Sequence, residues 1–385
     1  LQNIALNIAV ARLSQKPLNP YLDPNIKSGF NELNFLRKKA FWPVMGLLTL
    51  LLRGLAGAFP ELTERFYSRG LFVIIRYAWD FSIGLLPLPL LYLLLLLLGI
   101  VLVKKARSWY RSQQRLKGFV LAVLAFLGIL ITSFFFLWGF NYARVPLEEQ
   151  LGIEPATSSA DSLDAWLSQA TTELIRSRKQ LAYDMSDSLP EDIIPPGAIA
   201  QLRASLKQHL QAWSIPAPGR VKAKAIGPQG WLIGLGAAGI YLPWTGQGQY
   251  DAALHHLEVP VVSAHEMGHA LGFTDEGVCN FLGYIACVGA KDSTLQYAGR
   301  LGIWRALARS AYVSKTALYH QYYGSLPEGI RQDLAGIRRR QQRYKGWFPG
   351  FSRMVYDSYL KQQGVEGGMA SYGRGVLLWH AYHEL

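Results

Sequence analysis

Phe119 to Phe140 is an unbroken apolar stretch without one charge, and it constrains the fold more than any other part of the sequence. About 20 apolar residues in a helix match a hydrocarbon core roughly 30 Å thick. Two more runs precede it: Ala40 to Phe59, interrupted by Arg53, and Phe81 to Val103, leucine-rich after Pro87 and Pro89. Buried helices of soluble proteins rarely stay apolar for so long, so three transmembrane helices are expected across 40–140. Arg53 is expected to snorkel or to face the bundle interior. Orientation follows from charge. Lys104 to Lys117 holds six basic residues and no acid, and Arg37-Lys38-Lys39 precedes the first run. By the positive-inside rule both belong in the cytoplasm, with residues 1–39 as a cytoplasmic N-terminal segment. The mixed-charge segment Pro60 to Asp80, and everything after the aromatic exit Trp138, Phe140 and Tyr142, then lie outside. Residues 1–140 carry +11 of the formal charge of +13. Residues 141–385 are close to neutral, with Arg338-Arg339-Arg340 as the local run of basic residues, read as a solvated helix face, and not the concentrated charge expected of a nucleic-acid-binding domain. The partners this implies are the lipid bilayer and no nucleic acid.

The chemistry is concentrated in Val261 to Cys287, VVSAHEMGHALGFTDEGVCNFLGYIAC. His265 and His269 in His265-Glu266-Met267-Gly268-His269 are four apart, one helical turn on the same face. Both imidazoles can turn a ring nitrogen to one metal ion. Zinc fits, because it takes nitrogen and oxygen ligands and tolerates an open fourth position. Glu266 sits beside them as a general base. Val261, Val262, Ala264, Ala270, Leu271 and Phe273 make the helix apolar, and a buried Glu between two His is costly without a cation. For a third ligand, Gly272 suits a left-handed helix end and Thr274 an N-cap for a second helix. Asp275 and Glu276 both follow that turn. Asp275 completes H-E-x-x-H-x-x-G-x-x-D, and Glu276 opens Glu-Gly-Val-Cys-Asn. Glu276 is preferred: it has one more methylene and lies one residue deeper in the second helix. Asn280 then falls one turn behind, able to brace a liganding His, and Asp275 is left to cap the helix. Cys279 and Cys287 are about 12 Å apart along that helix, too far to form a disulfide. The Cys279 side chain is expected to point away from the metal.

The rest of 141–385 reads as a mainly α, α+β extracytoplasmic domain with a small sheet. Asn141 to Ser159 reads as a linker. Helices are predicted over Asp161 to Met185, from Ile199 to Trp213, over Tyr297 to Tyr323, Glu328 to Tyr344 and Phe351 to Gln362, and from Arg374. Val221 to Ile226 alternates as a strand does, and Trp231 to Trp244 reads as a hairpin or pair of strands. Gly239-Ile240-Tyr241-Leu242 is the candidate edge for pairing with an extended peptide.

Several segments together resemble a known family. They are Pro60 to Ser68 (PELTERFYS), Asn141 to Leu147 (NYARVPL), Gly239 to Thr245 (GIYLPWT), the H-E-x-x-H helix, Tyr356 to Lys361 and Ser371-Tyr372-Gly373-Arg374. The chain resembles the bacterial membrane-protein family catalogued as domain of unknown function 3810. That family is similar to Glu-type zinc peptidases. The resemblance implies a zincin-like domain, Zn2+ held by His265, His269 and Glu276, and Glu266 as base. It also makes Tyr372 the candidate catalytic oxyanion donor, ahead of His380 and His383. Gln247 stands where the family has a Glu. The expected activity is zinc-dependent hydrolysis of a peptide or protein substrate outside the inner membrane of a bacterium. A catalytically inactive zinc-stabilised sensor or scaffold is the alternative. An intramembrane site-two-type protease would need an Asp-Gly pair, which the sequence lacks.

Overall fold

The computed structural model describes residues 24–112, 116–154, 160–344 and 373–383. Helices dominate it. In chain order they are α1 (Pro24–Ala58), α2 (Phe72–Asp80), α3 (Leu90–Ser112), α4 (Leu116–Leu137), α5 (Ala160–Lys179) and α6 (Ala198–Ala212). After a small sheet come α7 (Val259–Ala270), α8 (Glu276–Val288), α9 (Ser293–Ser314), α10 (Thr316–Ser325), α11 (Glu328–Arg343) and α12 (Arg374–His383). The sheet has three strands, β1 (Ala223–Ile226), β2 (Gly239–Leu242) and β3 (Gln247–Asp251), in the order β1-β3-β2. The chain divides into two compact units, Leu1–Leu52 with Ala106–Ser133, and Arg53–Lys105 with Phe134–Leu385.

In the first unit α1 and α4 meet through small residues. A Cβ on Gly46 would lie 2.8 Å from Gly128 Cα, so glycine is needed for the approach. Thr49 Oγ1 donates to Met45 O at 2.8 Å and lies 3.3 Å from Thr132 Oγ1. Close backbone contact and paired hydroxyls are the means by which helices associate where lipid removes the hydrophobic drive. Ala40–Ala58 and Gly118–Leu137 are long and apolar enough to cross a membrane, by length and composition. The predicted middle span differs. Phe81 to Pro89 is turn and 3-10 structure, and α3 starts only at Leu90. Pro87 and Pro89 cannot donate within a helix, so the helix starts after them. Its uncharged part, Leu90 to Val103, is about 21 Å long.

In the second unit Pro60–Leu62, a π-helical stretch Thr63–Leu71 and α2 follow one another without a break. They are packed against the domain and not a loose connection. Tyr67 donates its hydroxyl to Phe135 O and Phe136 O, and Arg76 donates to Gly246 O at 2.8 Å. The expected linker is also structured as far as Glu154: Asn141 is fully buried, Leu147 is buried, and Leu147–Leu151 is a short helix. The main core lies among α5, α6, α7, α8 and α9, with Leu167, Leu174, Leu202, Leu206, Met267, Phe281 and Leu295 fully enclosed. α5 ends before Met185 because buried Arg178 gathers the carbonyls of Asp184 and Asp187 at 3.0 and 2.7 Å. Lys315, at φ −146°, breaks the predicted Tyr297 to Tyr323 helix. Tyr322 then reaches Asp164 Oδ1 at 2.6 Å.

β3 is central. β1 runs parallel to it, pairing Ala223 with Gly248, and β2 runs antiparallel, pairing Gly239 with Tyr250. β2 therefore takes the edge position predicted for Gly239 to Leu242. The expected partner strand at Trp231 is instead a helical turn, Trp231–Gly234. Asp251 holds that turn by accepting from the amides of Gly230, Leu232 and Ile233, which a hairpin would have used across strands. The predicted helix Phe351 to Gln362 lies outside the described residues.

Candidate metal centre

α7 carries the paired histidines, and burial rather than propensity holds it, since Val261, Val262 and Gly268 are poor helix formers. Pro260 sits in its first turn, and the residues from Ser263 to Ala270 are all buried. The helix ends as the sequence predicts: Gly272 adopts φ +90°, and Phe273 N donates back to Gly268 O at 3.2 Å. This is a Schellman closure, which needs a left-handed residue. Asp275, and not Thr274, is the N-cap of α8, as the preference for Glu276 implies: it accepts from Val278 N at 2.8 Å and also lies 3.3 Å from Arg374. A carboxylate one residue closer to the first free amides caps as well as a hydroxyl.

The turn brings His265, His269 and Glu276 together, with ligand atoms within 4.8 Å of one another. His265 Nε2 is 3.1 Å from His269 Nε2 and 3.1 Å from Glu276 Oε2, and His269 Nε2 is 3.6 Å from Glu276 Oε2. Ligand atoms about 2.0–2.1 Å from a tetrahedral zinc lie about 3.3 Å apart, so the spacing fits. The hydrogen bonds on the far side of each ring give the stronger test. His269 Nδ1 donates to Phe273 O at 2.9 Å, and His265 Nδ1 donates to Asn280 Oδ1 at 2.9 Å. With both Nδ1 atoms as donors, each neutral ring turns a bare lone pair inward. Two lone pairs and a carboxylate then converge in a buried space, an arrangement that repels itself unless a positive charge stands among them. A proton can supply part of that charge: burial opposes both shifts, yet Cys279 and Glu276 raise His269 well above the usual imidazole range, and His269 and His265 hold Glu276 well below the usual carboxylate range. The residues present therefore fit a divalent metal ion.

Glu266 lies beside this group and not in it. Burial pushes its carboxyl up to about 7, and its Oε2 is buried with no hydrogen-bond partner among the described residues. Two glycines make room for it. A Cβ on Gly239 of β2 would strike Glu266 Oε1, and one on Gly248 of β3 would lie 2.5 Å from Glu266 Cβ. Gly268 serves the helix pair, since a Cβ there would press on Cys279 Sγ at 3.2 Å. Cys279 points away from the candidate ligand atoms, as expected: it sits on the outer side of the His269 ring, 3.3 Å from Nδ1, because α8 crosses α7 so closely. Burial raises its thiol to about 11, so it stays protonated.

Of the other predicted residues, Tyr372 lies outside the described residues. His380 stacks on Trp166 with ring centroids 4.4 Å apart, and His383 Nδ1 bonds Trp379 O. Neither belongs to the group that could hold a metal. Residues from far away brace the site, and their roles could not be read from spacing. Trp138 Nε1 donates to His269 O at 2.8 Å. Arg144 donates to Gly272 O at 3.0 Å, grips both oxygens of Glu64 at 3.0 and 2.9 Å, and stacks over Phe273. It thereby fixes the turn whose carbonyl orients His269. The sequence signal for Glu64 and Arg144 is their presence in the strings PELTERFYS and NYARVPL, and for Trp138 its place in the aromatic exit of the last apolar run.

No curated protein and no solved structure matches the chain. The family described as protein of unknown function (DUF3810) matches residues 67–379, which takes in Trp138, Arg144, His265, His269, Glu276 and β2, and the chain belongs to that family.

Proposed function

We propose that the chain is a membrane-anchored zinc metallopeptidase acting on peptide bonds outside the cytoplasm. The observation that carries this is the convergence of His265, His269 and Glu276 with the separate Glu266 carboxyl beside them, whose Oε2 has no hydrogen-bond partner among the described residues. Bound zinc would supply a Lewis acid for the scissile carbonyl and would acidify water. Glu266 Oε2 accepts the proton of the attacking water and returns it to the leaving amine, a task suited to a group poised near neutrality. β2, at the sheet edge and against Glu266 through Gly239, offers main-chain groups to an extended peptide.

Three spans over 40–140 suit this reading. Pro60–Asp80 packs with residues after Phe134 in one unit, so the two share a side of the bilayer. With α1 and α4 as spans, the chain must cross once more between them, and α3 is the helix available. Its apolar approach, Phe81 to Pro89, and snorkelling by Lys104 and Lys105 make up its length. Residues 141–385 then form the zincin-like extracytoplasmic domain.

The test compares wild type with Glu266→Gln, both purified with zinc measured, on a panel of unfolded and native proteins. Hydrolysis should be lost in the variant at unchanged zinc content. Equal hydrolysis by both would remove Glu266 as the base. One observation favours a second reading, a zinc-stabilised sensor or scaffold. His265, Glu266, His269 and Glu276 are all buried, as in closed structural zinc sites. That reading predicts zinc in both proteins and cleavage by neither.

A further inference from the structure

A second cluster lies in the same unit as the metal centre, where α6 and the approach to β1 meet the turn before α3. It holds Arg203, Lys207, Arg220, Lys222 and Lys224. Among the described residues none of the five forms an ion pair. Their hydrogen bonds run to main-chain carbonyls instead: Arg203 to Val221 O, Lys207 to Gly219 O, Lys222 to Gly84 O, and Lys224 to Leu86 O and Leu88 O. Arg220 places its guanidinium 5.4 Å from the centre of the Phe81 ring. The carboxylate beside them, Asp80, is already engaged. It is buried, lies 2.6 Å from Arg76 Nη2, and accepts from Arg220 N at 2.8 Å. Burial lowers the Lys207 and Lys222 ammonium groups, Asp80 opposes this, and the charges of Arg203 and Arg220 add to it. Asp80 already pairs with Arg76, so one carboxylate faces more cations than it can offset.

The surface beside it is apolar. Phe81, Ile83, Leu85, Leu86 and Leu88 are all exposed, directly before α3. Lys222 and Lys224 bond the carbonyls of this same turn, so cations and exposed apolar side chains form one continuous surface. Such a surface suits a bilayer interface, where apolar side chains enter the acyl boundary and basic ones meet phosphates. A soluble anion would have no use for the apolar half, and a nucleic acid would leave it in water.

We propose that Arg203, Lys207, Arg220, Lys222 and Lys224 bind the headgroup of an anionic phospholipid, docking the metal domain on the outer face of the bilayer. This rests on the membrane part of the proposed function, with Phe81 to Pro89 at the interface, and not on catalysis. One basic side chain near an anionic surface changes association about fivefold.

The test uses the full chain reconstituted in phosphatidylcholine vesicles with spin-labelled phosphatidylglycerol or phosphatidylcholine as probe. Wild type should immobilise the anionic probe about fivefold or more in preference to the neutral one. Arg220→Gln/Lys222→Gln/Lys224→Gln should bring the two probes to parity, and Lys222→Arg/Lys224→Arg should keep the preference. Equal immobilisation of the two probes by wild type overturns the proposal, whatever the variants do. So does loss of the preference in inorganic phosphate but not in chloride of equal ionic strength, which would assign the cluster to a soluble phosphate. Melting curves and zinc content of the triple variant report its folding. If it does not fold, wild type and the arginine variant still decide. A failed membrane reading looks different: the chain is released by alkaline carbonate and immobilises neither probe.

Discussion

Replacing Asp275 or Glu276 by Ala separates two adjacent carboxylates that the sequence could rank only by reach. Asp275 caps α8, accepting from Val278 N at 2.8 Å, and its other oxygen lies 3.3 Å from Arg374. Losing an N-cap costs about 1 kcal/mol, and a partly exposed ion pair adds about 0–1 kcal/mol. For a domain of this size about 1 kcal/mol shifts Tm by about 2–4 °C. Asp275→Ala should therefore melt a few degrees lower and keep its zinc. Glu276 Oε2 stands 3.1 Å from His265 Nε2 and 3.6 Å from His269 Nε2. Losing a residue that merely supports a ligand lowers metal affinity about 10–100-fold. Removing a charged ligand outright should exceed that range. The assay is zinc per chain by mass spectrometry after dialysis against chelators of graded strength, with melting curves on the same samples. If Asp275→Ala loses zinc and Glu276→Ala retains it, the assignment of the third ligand is wrong, and so is the account of α8 capping.

Two further variants probe the support around the site. Asn280→Ala removes the acceptor of His265 Nδ1 and should weaken zinc binding about 10–100-fold in the same chelator series; unchanged affinity would mean that Asn280 does not set the His265 tautomer. Gly239→Ala puts a Cβ against Glu266 Oε1 and Gln249 O; it should abolish hydrolysis while zinc stays bound, and full activity would show that the Glu266 carboxyl lies elsewhere during turnover.

How much could be read in advance depended on how far apart the cooperating residues lie in the chain. His265, His269, Gly272, Glu276 and Asn280 lie within a few helical turns of sequence, and helix periodicity with one glycine turn fixes their relation. The length of the Glu side chain was enough to favour Glu276. The misread helix start at Leu90 was also a local matter: Pro87 and Pro89 carried the signal, but the leucine content outweighed them. Gly239 and Gly248 are different. In sequence they read as ordinary residues of a Gly-rich strand region. Their purpose depends on α7 lying across the sheet, and no local pattern encodes that crossing.

The residues least legible from sequence suggest why the segment between α1 and α3 is folded at all. Glu64 lies 80 residues before Arg144, and Arg144 lies 128 before Gly272. Removing one partner of a buried pair such as Glu64–Arg144 costs about 3–5 kcal/mol, because it leaves the other charge uncompensated. Glu64 thus holds Arg144, Arg144 holds the Gly272 turn, and the Phe273 carbonyl of that turn accepts from His269 Nδ1. Trp138, directly after α4, reaches the same histidine through its main-chain oxygen. The end of α7 is therefore fastened by residues that precede α3 and by residues that follow α4. A site built this way cannot reach its native form until the segments around the apolar helices are in place. This couples assembly of the site to assembly of the chain as a whole, and it explains why the 141–385 segment alone lacks a complete brace for its own histidines.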